Sequence, residues 1–329
     1  PVAKKYKILE ALRVTKTTQA IIDDVLSNSK YKKFKKEVRS QQHNSHVAIF
    51  FSFSDRYKCP SIASLNPVPN GATRYIAEVY NSVVAMSGTL TSSTGSFDTI
   101  AKRLGIYDKM PITDVFKGFN LKRMVKLHLY PDNPEPYDEN VDLSSYIEAN
   151  KENINRIIQY ARGRVLILCP AYKDVDMWRE VIQTNRTTII QEKGSGISSF
   201  KGSIPEDCVI IAVNAWEGVD IDGLSDVVIT RIPNVHPDDI MYIAVEAVYE
   251  SFFQSRAKKA NVFAIVSSQK KYDAFIRTRQ GMGRLVRKET DNGNIHIFDP
   301  RALQWEEWFV DHYTVVKHKA LKTHVPAMV

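Results

Sequence analysis

Arg284 and Arg287 carry the sharpest chemistry in this sequence. They lie three apart inside Gln280-Gly281-Met282-Gly283-Arg284-Leu285-Val286-Arg287. Residues three apart on a helix share a face, so the spacing predicts two guanidiniums side by side at the start of a helix. A guanidinium is a planar, permanently charged fork that matches phosphate oxygens bidentately. Such a group can serve an NTP-driven machine as an arginine finger on a γ-phosphate. Gly281 and Gly283 would let backbone and ligand approach closely. A bare pair of arginines at this spacing would read as a solvated basic face, but the longer string is much rarer by chance.

A second string lies upstream, Val209-Ile210-Ile211-Ala212-Val213-Asn214-Ala215-Trp216-Glu217-Gly218-Val219-Asp220. Its apolar, mostly β-prone opening predicts a buried strand. The acidic, Gly-containing turn then falls at the strand's C-terminal end, where open α/β sheets bind ligands. Trp216 could be a stacking platform for a base, although a single Trp beside a buried strand is more often core. A third string, Val83-Val84-Ala85-Met86-Ser87-Gly88-Thr89-Leu90, runs from a strand into small hydroxylated residues. Hydroxyls and backbone N–H groups at strand ends can hold nucleic-acid phosphates.

The elements that must position these residues alternate. Strands are expected at 47–53, 83–86, 124–129, 165–169, 187–191, 209–213, 227–232 and 295–299. Helices are expected at 73–81, 97–104, 143–161, 173–183, 237–254 and 272–288. Helices lying between strands argue for an α/β fold, a mostly parallel sheet with helices on both faces. The turn-rich stretch from Tyr130 to Pro136 reads as a linker within the domain.

At 329 residues with 43% hydrophobic content, the chain can bury a sizeable core. Its three cysteines, Cys59, Cys169 and Cys208, are scattered, which predicts a reducing compartment and no disulfide framework. No apolar run approaches membrane-spanning length and no signal peptide is recognisable, so no membrane partner and a cytoplasmic location are expected. Charge is uneven. Residues 1–40 hold eleven Lys/Arg against four Asp/Glu, while the whole chain is +8. Lys33 and Lys36 lie in that basic stretch, whose apolar spacing predicts helix. Such a segment would attract nucleic-acid phosphates through counterion release, or would be a solvated face. His312, His318 and His324 follow one another at intervals of six, which does not align imidazoles on one helix face for a metal. A solvated tail is the better reading, and no metal site is expected.

Taken together, these strings resemble the C-terminal half of a superfamily two DNA helicase of the DinG/XPD type. Met86-Ser87-Gly88-Thr89-Leu90 resembles the family's motif III. Val165-Leu166-Ile167-Leu168-Cys169-Pro170-Ala171-Tyr172 resembles its motif IV strand and turn. Trp216-Glu217-Gly218-Val219-Asp220 resembles motif V, and Gln280 to Arg287 resembles motif VI. The resemblance covers roughly residues 65–310, in the family's order. Arg231-Ile232-Pro233-Asn234-Val235-His236-Pro237 is a loose version of the family's L-P-F-x-x-P.

The resemblance implies a RecA-like helicase domain 2 over 46–329, preceded by a basic helical segment over 1–45, the end of an arch-like insertion. It implies an ATP site, with Mg²⁺, shared with a first RecA-like domain of the same protein. The sequence has no G-x-x-x-x-G-K-[ST] and no D-E-x-H, so the chain alone is expected to be inactive. Arg284 and Arg287 would reach the γ-phosphate, and Gln280 would orient water or phosphate. Glu217, Gly218, Asp220 and Gly283 would line the nucleotide, the acids through ribose hydroxyls, Mg²⁺-bound water or the arginines themselves. Ser87, Thr89, Ala171, Tyr172, Lys33 and Lys36 would touch nucleic acid. The expected activity is ATP-dependent 5′→3′ movement on single-stranded DNA, with an RNA–DNA hybrid as an alternative substrate. The family's four-cysteine iron–sulfur spacing is missing, so no cluster is expected in this chain. That lack and the basic lead-in would suit a CRISPR-associated (type IV) DinG working with a CRISPR ribonucleoprotein complex. A non-catalytic RecA-like binding module and an NTPase domain of another nucleic-acid machine are the alternatives.

Overall fold

The computed structural model describes residues 48–54, 59–65, 79–80, 87, 89–104, 118–136, 141–194, 204–235, 239, 242–243, 245–246, 249 and 262–319. The expected basic helical segment, with Lys33 and Lys36, lies outside the described residues. So do the strand at 83–86 and most of the helices at 73–81 and 237–254.

The chain divides into two compact units. The first comprises Pro1–Ala85, Phe97–Ile112 and Val235–Lys271. It holds an antiparallel hairpin of β1 (Ala48–Ser54) and β2 (Cys59–Leu65), paired from Ala48 with Leu65 to Ser54 with Cys59. The sequence reading expected only the first of these strands, because Cys59-Pro60-Ser61 carries little strand propensity. This unit also holds α1 (Asp98–Leu104).

The second unit comprises Met86–Ser96, Thr113–Asn234 and Tyr272–Val329. Its elements in chain order are α2 (Leu121–Met124), β3 (Val125–Leu129), α3 (Leu143–Tyr160), β4 (Arg164–Leu168), α4 (Tyr172–Val181), β5 (Thr187–Ile190), β6 (Cys208–Ala212) and β7 (Leu224–Ile229). Then come α5 (Val262–Met282), which begins in the first unit, β8 (Gly293–Ile297), a 3-10 turn (Pro300–Trp305), α6 (Glu306–His312) and β9 (Thr314–Lys317). The seven strands pair in the order β5-β6-β4-β7-β8-β3-β9, every pairing parallel.

The strand sequences explain this arrangement. β4 (RVLIL), β6 (CVIIA) and β7 (LSDVVI) are apolar almost throughout and buried nearly end to end, as central parallel strands covered on both faces must be. The edge strands β5 and β9 bury little. Alternation sends Leu166, Leu168, Ile210 and Val227 into one core, and Val165, Ile167, Val209 and Val228 into the other. The first core is closed by Ala274, Phe275 and Met282 of α5, with Trp305, Trp308 and Phe309. The second is closed by Tyr146, Ile154 and Ile158 of α3 and Trp178 of α4. Helices therefore cover both faces, as the sequence predicts.

Several boundaries differ from expectation, among them the start of α5, at Val262 rather than Tyr272, and three have a visible local cause. β7 stops at Ile229 rather than running to Ile232, because the next groups bond elsewhere. The Thr230 hydroxyl donates to the Leu168 carbonyl at 3.0 Å, and Ile232 N–H donates to Asp299 Oδ2 at 2.9 Å. β8 ends at Ile297 because Asp299 caps the following 3-10 turn, accepting from Arg301 N–H at 3.1 Å. The third, at the end of α5, bears on the site.

Candidate functional site

Helix α5 ends at Met282, so Arg284 and Arg287 stand in the turn after it rather than at the start of a helix running to 288. Gly283 N–H still donates to the Arg279 carbonyl at 2.9 Å. The next two N–H groups switch to partners three residues back, Arg284 to Gly281 at 3.1 Å and Leu285 to Met282 at 3.2 Å. The chain thus tightens and leaves the helix. Asp291 Oδ2 then accepts from the backbone N–H groups of Arg287, at 2.8 Å, and Lys288, at 3.0 Å, closing the loop. Gly281 brings the helix end onto the sheet. A Cβ there would lie 2.7 Å from Trp216 Cε3 and 2.8 Å from Leu168 Cδ1.

The loop after β6 meets this turn. Gly218 has φ +71°, a left-handed conformation costly for any residue with a Cβ, and it turns the chain after Glu217. The next carbonyl, of Val219, accepts from Arg284 Nη1 and from Arg287 Nη2, both at 2.6 Å. Two guanidiniums therefore converge on one oxygen. Arg287 Nη1 also pairs with Asp220 Oδ1 at 3.2 Å. Burial, and then the adjacent Arg287 charge, hold Arg284 below the usual arginine range. Among the described residues, the ion-pair partner in this group is Asp220, 78% exposed, and exposed pairs of this kind are worth only about 0–1 kcal/mol. The two cations are thus poorly neutralised and held in place before any ligand arrives. Glu217 is exposed and forms no ion pair with either arginine, although its charge acts on Arg284 and Arg277. The sequence reading weighed Glu217 as the arginine partner, and Asp220 has that place.

Trp216 is core, 1% exposed, with its indole N–H donating to the Cys169 carbonyl at 3.3 Å, so it offers no face to a base. That bond also ties the turn after β6 to the end of β4. Ala171 and Tyr172 open α4 at the same C-terminal edge of the sheet, and no side chain caps that helix. Asn214 Nδ2 donates to the Tyr172 hydroxyl at 3.2 Å, and Gln191 Oε1 accepts from the N–H groups of Val213 and Asn214, each at 2.9 Å. Ser87 is exposed, and its Oγ stands 3.4 Å from the Thr89 hydroxyl. The structure gathers Arg284, Arg287, Gly218 and Asp220. The Ser87 and Thr89 hydroxyls face each other, and Tyr172 pairs with Asn214.

The histidines correct another expectation. His318 is not in a solvated tail. Its Nε2 lies 2.8 Å from His128 Nδ1 and its ring stacks on Tyr130. His128 in turn stacks on His296, whose Nε2 meets Asp226 at 3.3 Å. Burial, and then the His296 neighbour, push the His128 imidazole down to about 4. Among the described residues, no group of three or more His, Cys, Asp or Glu is arranged to hold a metal.

Comparison with known proteins shows what this unit is similar to. The helicase C-terminal domain family matches over residues 154–314. That stretch, just under half of the chain, is similar to a helicase C-terminal domain. The helicase YpvA of Bacillus subtilis, named a probable ATP-dependent helicase, is 30% identical over 225 residues, 64% of this chain and 30% of that protein. The protein named 3'-5' exonuclease DinG from the same organism is 29% identical over 238 residues, 67% of this chain and 24% of that protein. The ATP-dependent helicase DinG of Mycobacterium tuberculosis is 29% identical over 248 residues, 73% of this chain and 35% of that protein. The chain thus spans about a quarter to a third of the length of these relatives. Among solved structures, an apo XPD aligns with a TM-score of 0.55 at 18% identity, covering 97% of this chain and 71% of that one. At that identity the likeness speaks for the fold, which is the RecA-like α/β fold of the XPD C-terminal domain.

Several residues that build the candidate site were invisible in the sequence. The Val219 carbonyl is a backbone group, and no residue type announces it. Gln191 and Asn214 lie one strand apart in space and 23 positions apart in sequence. Asp220, by contrast, was singled out from its place in the turn.

Proposed function

We propose that this chain is the second motor domain of an ATP-dependent DNA helicase of the DinG/XPD type. In this reading Arg284 and Arg287 act on the γ-phosphate of an ATP held mainly, with its Mg²⁺, by a first RecA-like domain elsewhere in the protein. The observation that carries it is the convergence of both guanidiniums on the Val219 carbonyl at 2.6 Å, with exposed Asp220 as a weak counter-ion. Phosphate oxygens arriving there would replace a weak exposed pair with charge-assisted bonds. Because the cations are already placed, little reorganisation is needed as charge develops. ATP supplies the phosphoryl group to be transferred to water, and Gln280 would help orient that water. Glu217, Gly218 and Gly283 would line the nucleotide. The Ser87–Thr89 hydroxyls and the uncapped first turn of α4 at Ala171–Tyr172 would hold backbone phosphates of single-stranded DNA, without reading bases.

Movement 5′→3′, a cytoplasmic setting, inactivity of this chain without its partner domain, and tolerance of an RNA–DNA hybrid belong to the same proposal. The names of the relatives contain nothing of a CRISPR system, and that subtype is not part of it.

The test uses the full protein with both motor domains. Arg284→Ala and Arg287→Ala should each lower DNA-stimulated phosphate release by about 10³-fold or more, while ATP affinity changes far less. Near-normal turnover by both variants would leave a binding module as the better reading.

A further inference from the structure

One contact in the sheet-bearing unit joins two parts that the sequence keeps 188 residues apart. Arg279, the residue before Gln280, sends Nη1 to the Thr91 carbonyl at 2.8 Å and to the Thr91 hydroxyl at 3.1 Å. Tyr272, on the same helix, donates its hydroxyl to the Leu90 carbonyl at 3.2 Å. Tyr272 and Arg279 are seven apart, two turns, so they share one face of α5. The helix grips consecutive carbonyls of the segment that follows Ser87 and Thr89. The Arg279 guanidinium is itself fixed, 4.9 Å from the centre of the Trp308 ring and 5.5 Å from that of Phe275. Those two rings meet edge to face at 5.1 Å.

The C-terminal end of the same helix turns into the arginine loop. Arg279 takes part in that transition directly, since its carbonyl accepts the Gly283 N–H at 2.9 Å. Its side chain therefore holds the hydroxyl-bearing loop while its backbone holds the start of the arginine turn. We propose that Arg279, assisted by Tyr272, is a positioning residue that couples nucleic-acid contact at Ser87–Thr89 to the placement of Arg284 and Arg287. This rests on the helicase reading above. It adds a residue outside the phosphate-contacting set and gives it a defined task. A phosphate drawn to the Ser87–Thr89 loop would pull on Leu90 and Thr91, and the Arg279 Nη1 contacts to Thr91 would transmit the pull to the helix end. The linkage is reciprocal: whatever ordering the nucleotide imposes on the arginine turn must return to the loop. Both Thr91 contacts come from one nitrogen, while the planar guanidinium lies over Trp308 and Phe275, a placement that a lysine ammonium does not reproduce.

The experiment compares Arg279→Lys, Arg279→Gln and Tyr272→Phe with wild type in the full protein. The readout is the ratio of ATP hydrolysis with saturating single-stranded oligonucleotide to hydrolysis without it, along with KM for ATP and the melting temperature. Couplings of this kind typically span about 5- to 150-fold. The ratio should fall about fivefold or more in both Arg279 variants and by a smaller factor in Tyr272→Phe, with KM for ATP little changed. An unchanged ratio in all three variants overturns the inference. So does a proportional fall of both rates with a lowered melting temperature, the mark of a packing role alone. If the Arg279 variants do not fold, Tyr272→Phe, which loses one hydroxyl, decides by the same ratio. Wild-type protein with no DNA-stimulated hydrolysis would instead sink the helicase reading, so the two failures are distinguishable.

Discussion

Replacing Gly281 by Ala pits two opposite effects against each other at the base of the arginine turn. Gly281 is in the last turn of α5, and in an exposed helix Ala would be favoured over Gly by about 1 kcal/mol. Here the new Cβ would lie 2.7 Å from Trp216 Cε3, 2.8 Å from Leu168 Cδ1 and 3.0 Å from Trp216 Cζ3. Neither neighbour can swing out, since Trp216 is 1% exposed, Leu168 is fully buried, and the indole is tethered to Cys169. Overpacking of a well-filled core costs about 1–3 kcal/mol, and a rigid ring pushes the value to the upper end. The net expectation is about 1–2 kcal/mol of destabilisation. Function should suffer more than stability, because the helix end carries Arg284 and Arg287. A displacement of about 1 Å at a catalytic group can cost about 100-fold in rate. All four tryptophans, Trp178, Trp216, Trp305 and Trp308, belong to the sheet-bearing unit, so denaturant unfolding followed by their fluorescence reports that unit. Gly283→Ala is the control, since its Cβ would meet only backbone oxygens at 3.4 and 3.5 Å and should be close to neutral in stability. Stabilisation of Gly281→Ala by about 1 kcal/mol would show that the helix end does not approach Trp216 so closely.

Three further perturbations test other parts of the argument. Arg231 and Asp174, 4% and 1% exposed, form a buried two-pronged pair with bonds of 2.6 to 2.9 Å, so Arg231→Met should destabilise by about 3–5 kcal/mol, and adding Asp174→Leu should restore most of it; urea titrations of the single and double variants check this. His128 is pushed down to about 4 from its ordinary 6.5, so the unfolded chain binds more protons between those values. Its contribution is intact above pH 6.5, falls as the pH drops toward 4 and is gone below that; allowing for screening it is of the order of 1–2 kcal/mol, and His128→Gln should flatten the acid limb of a stability–pH curve. Removing residues 1–40, with their eleven Lys/Arg, should lower single-stranded DNA affinity and shrink its salt slope in fluorescence anisotropy; an unchanged slope would assign that charge to a solvated surface.

The sheet was legible because its central strands are apolar runs with few alternatives. Val165–Leu168 and Val209–Ala212 cannot be exposed and are too short for buried helices. The edges were less legible for the same reason. β9 (TVVK) is short and half polar, and its place beside β3 comes from pairing such as Leu127 with Val315, a long-range match that no local pattern announces. His318 was misjudged with it. The six-residue spacing of histidines was read as if the chain were one element, whereas His312 ends α6 and His318 follows β9. Once β9 lies beside β3, His318 is delivered to His128.

The candidate site divides along the same line. Residue types were readable, and their partners were not. Arg284 and Arg287 were picked from spacing that assumed a helix, yet the helix ends before them. Their side chains meet because a turn brings both onto the Val219 carbonyl, so the two do converge, but not through the helical geometry that the spacing assumed. The difference bears on chemistry. Arginines on a regular helix face would move only with the helix. Arginines on a turn pinned by Asp291 at one end and by Gly281 against Trp216 at the other can shift relative to the sheet when either pin shifts. A nucleotide-dependent machine needs cations that are placed before the phosphate arrives but can still be displaced when it leaves. A short loop between two anchors meets both needs, and a continuous helix through Lys288 would meet only the first.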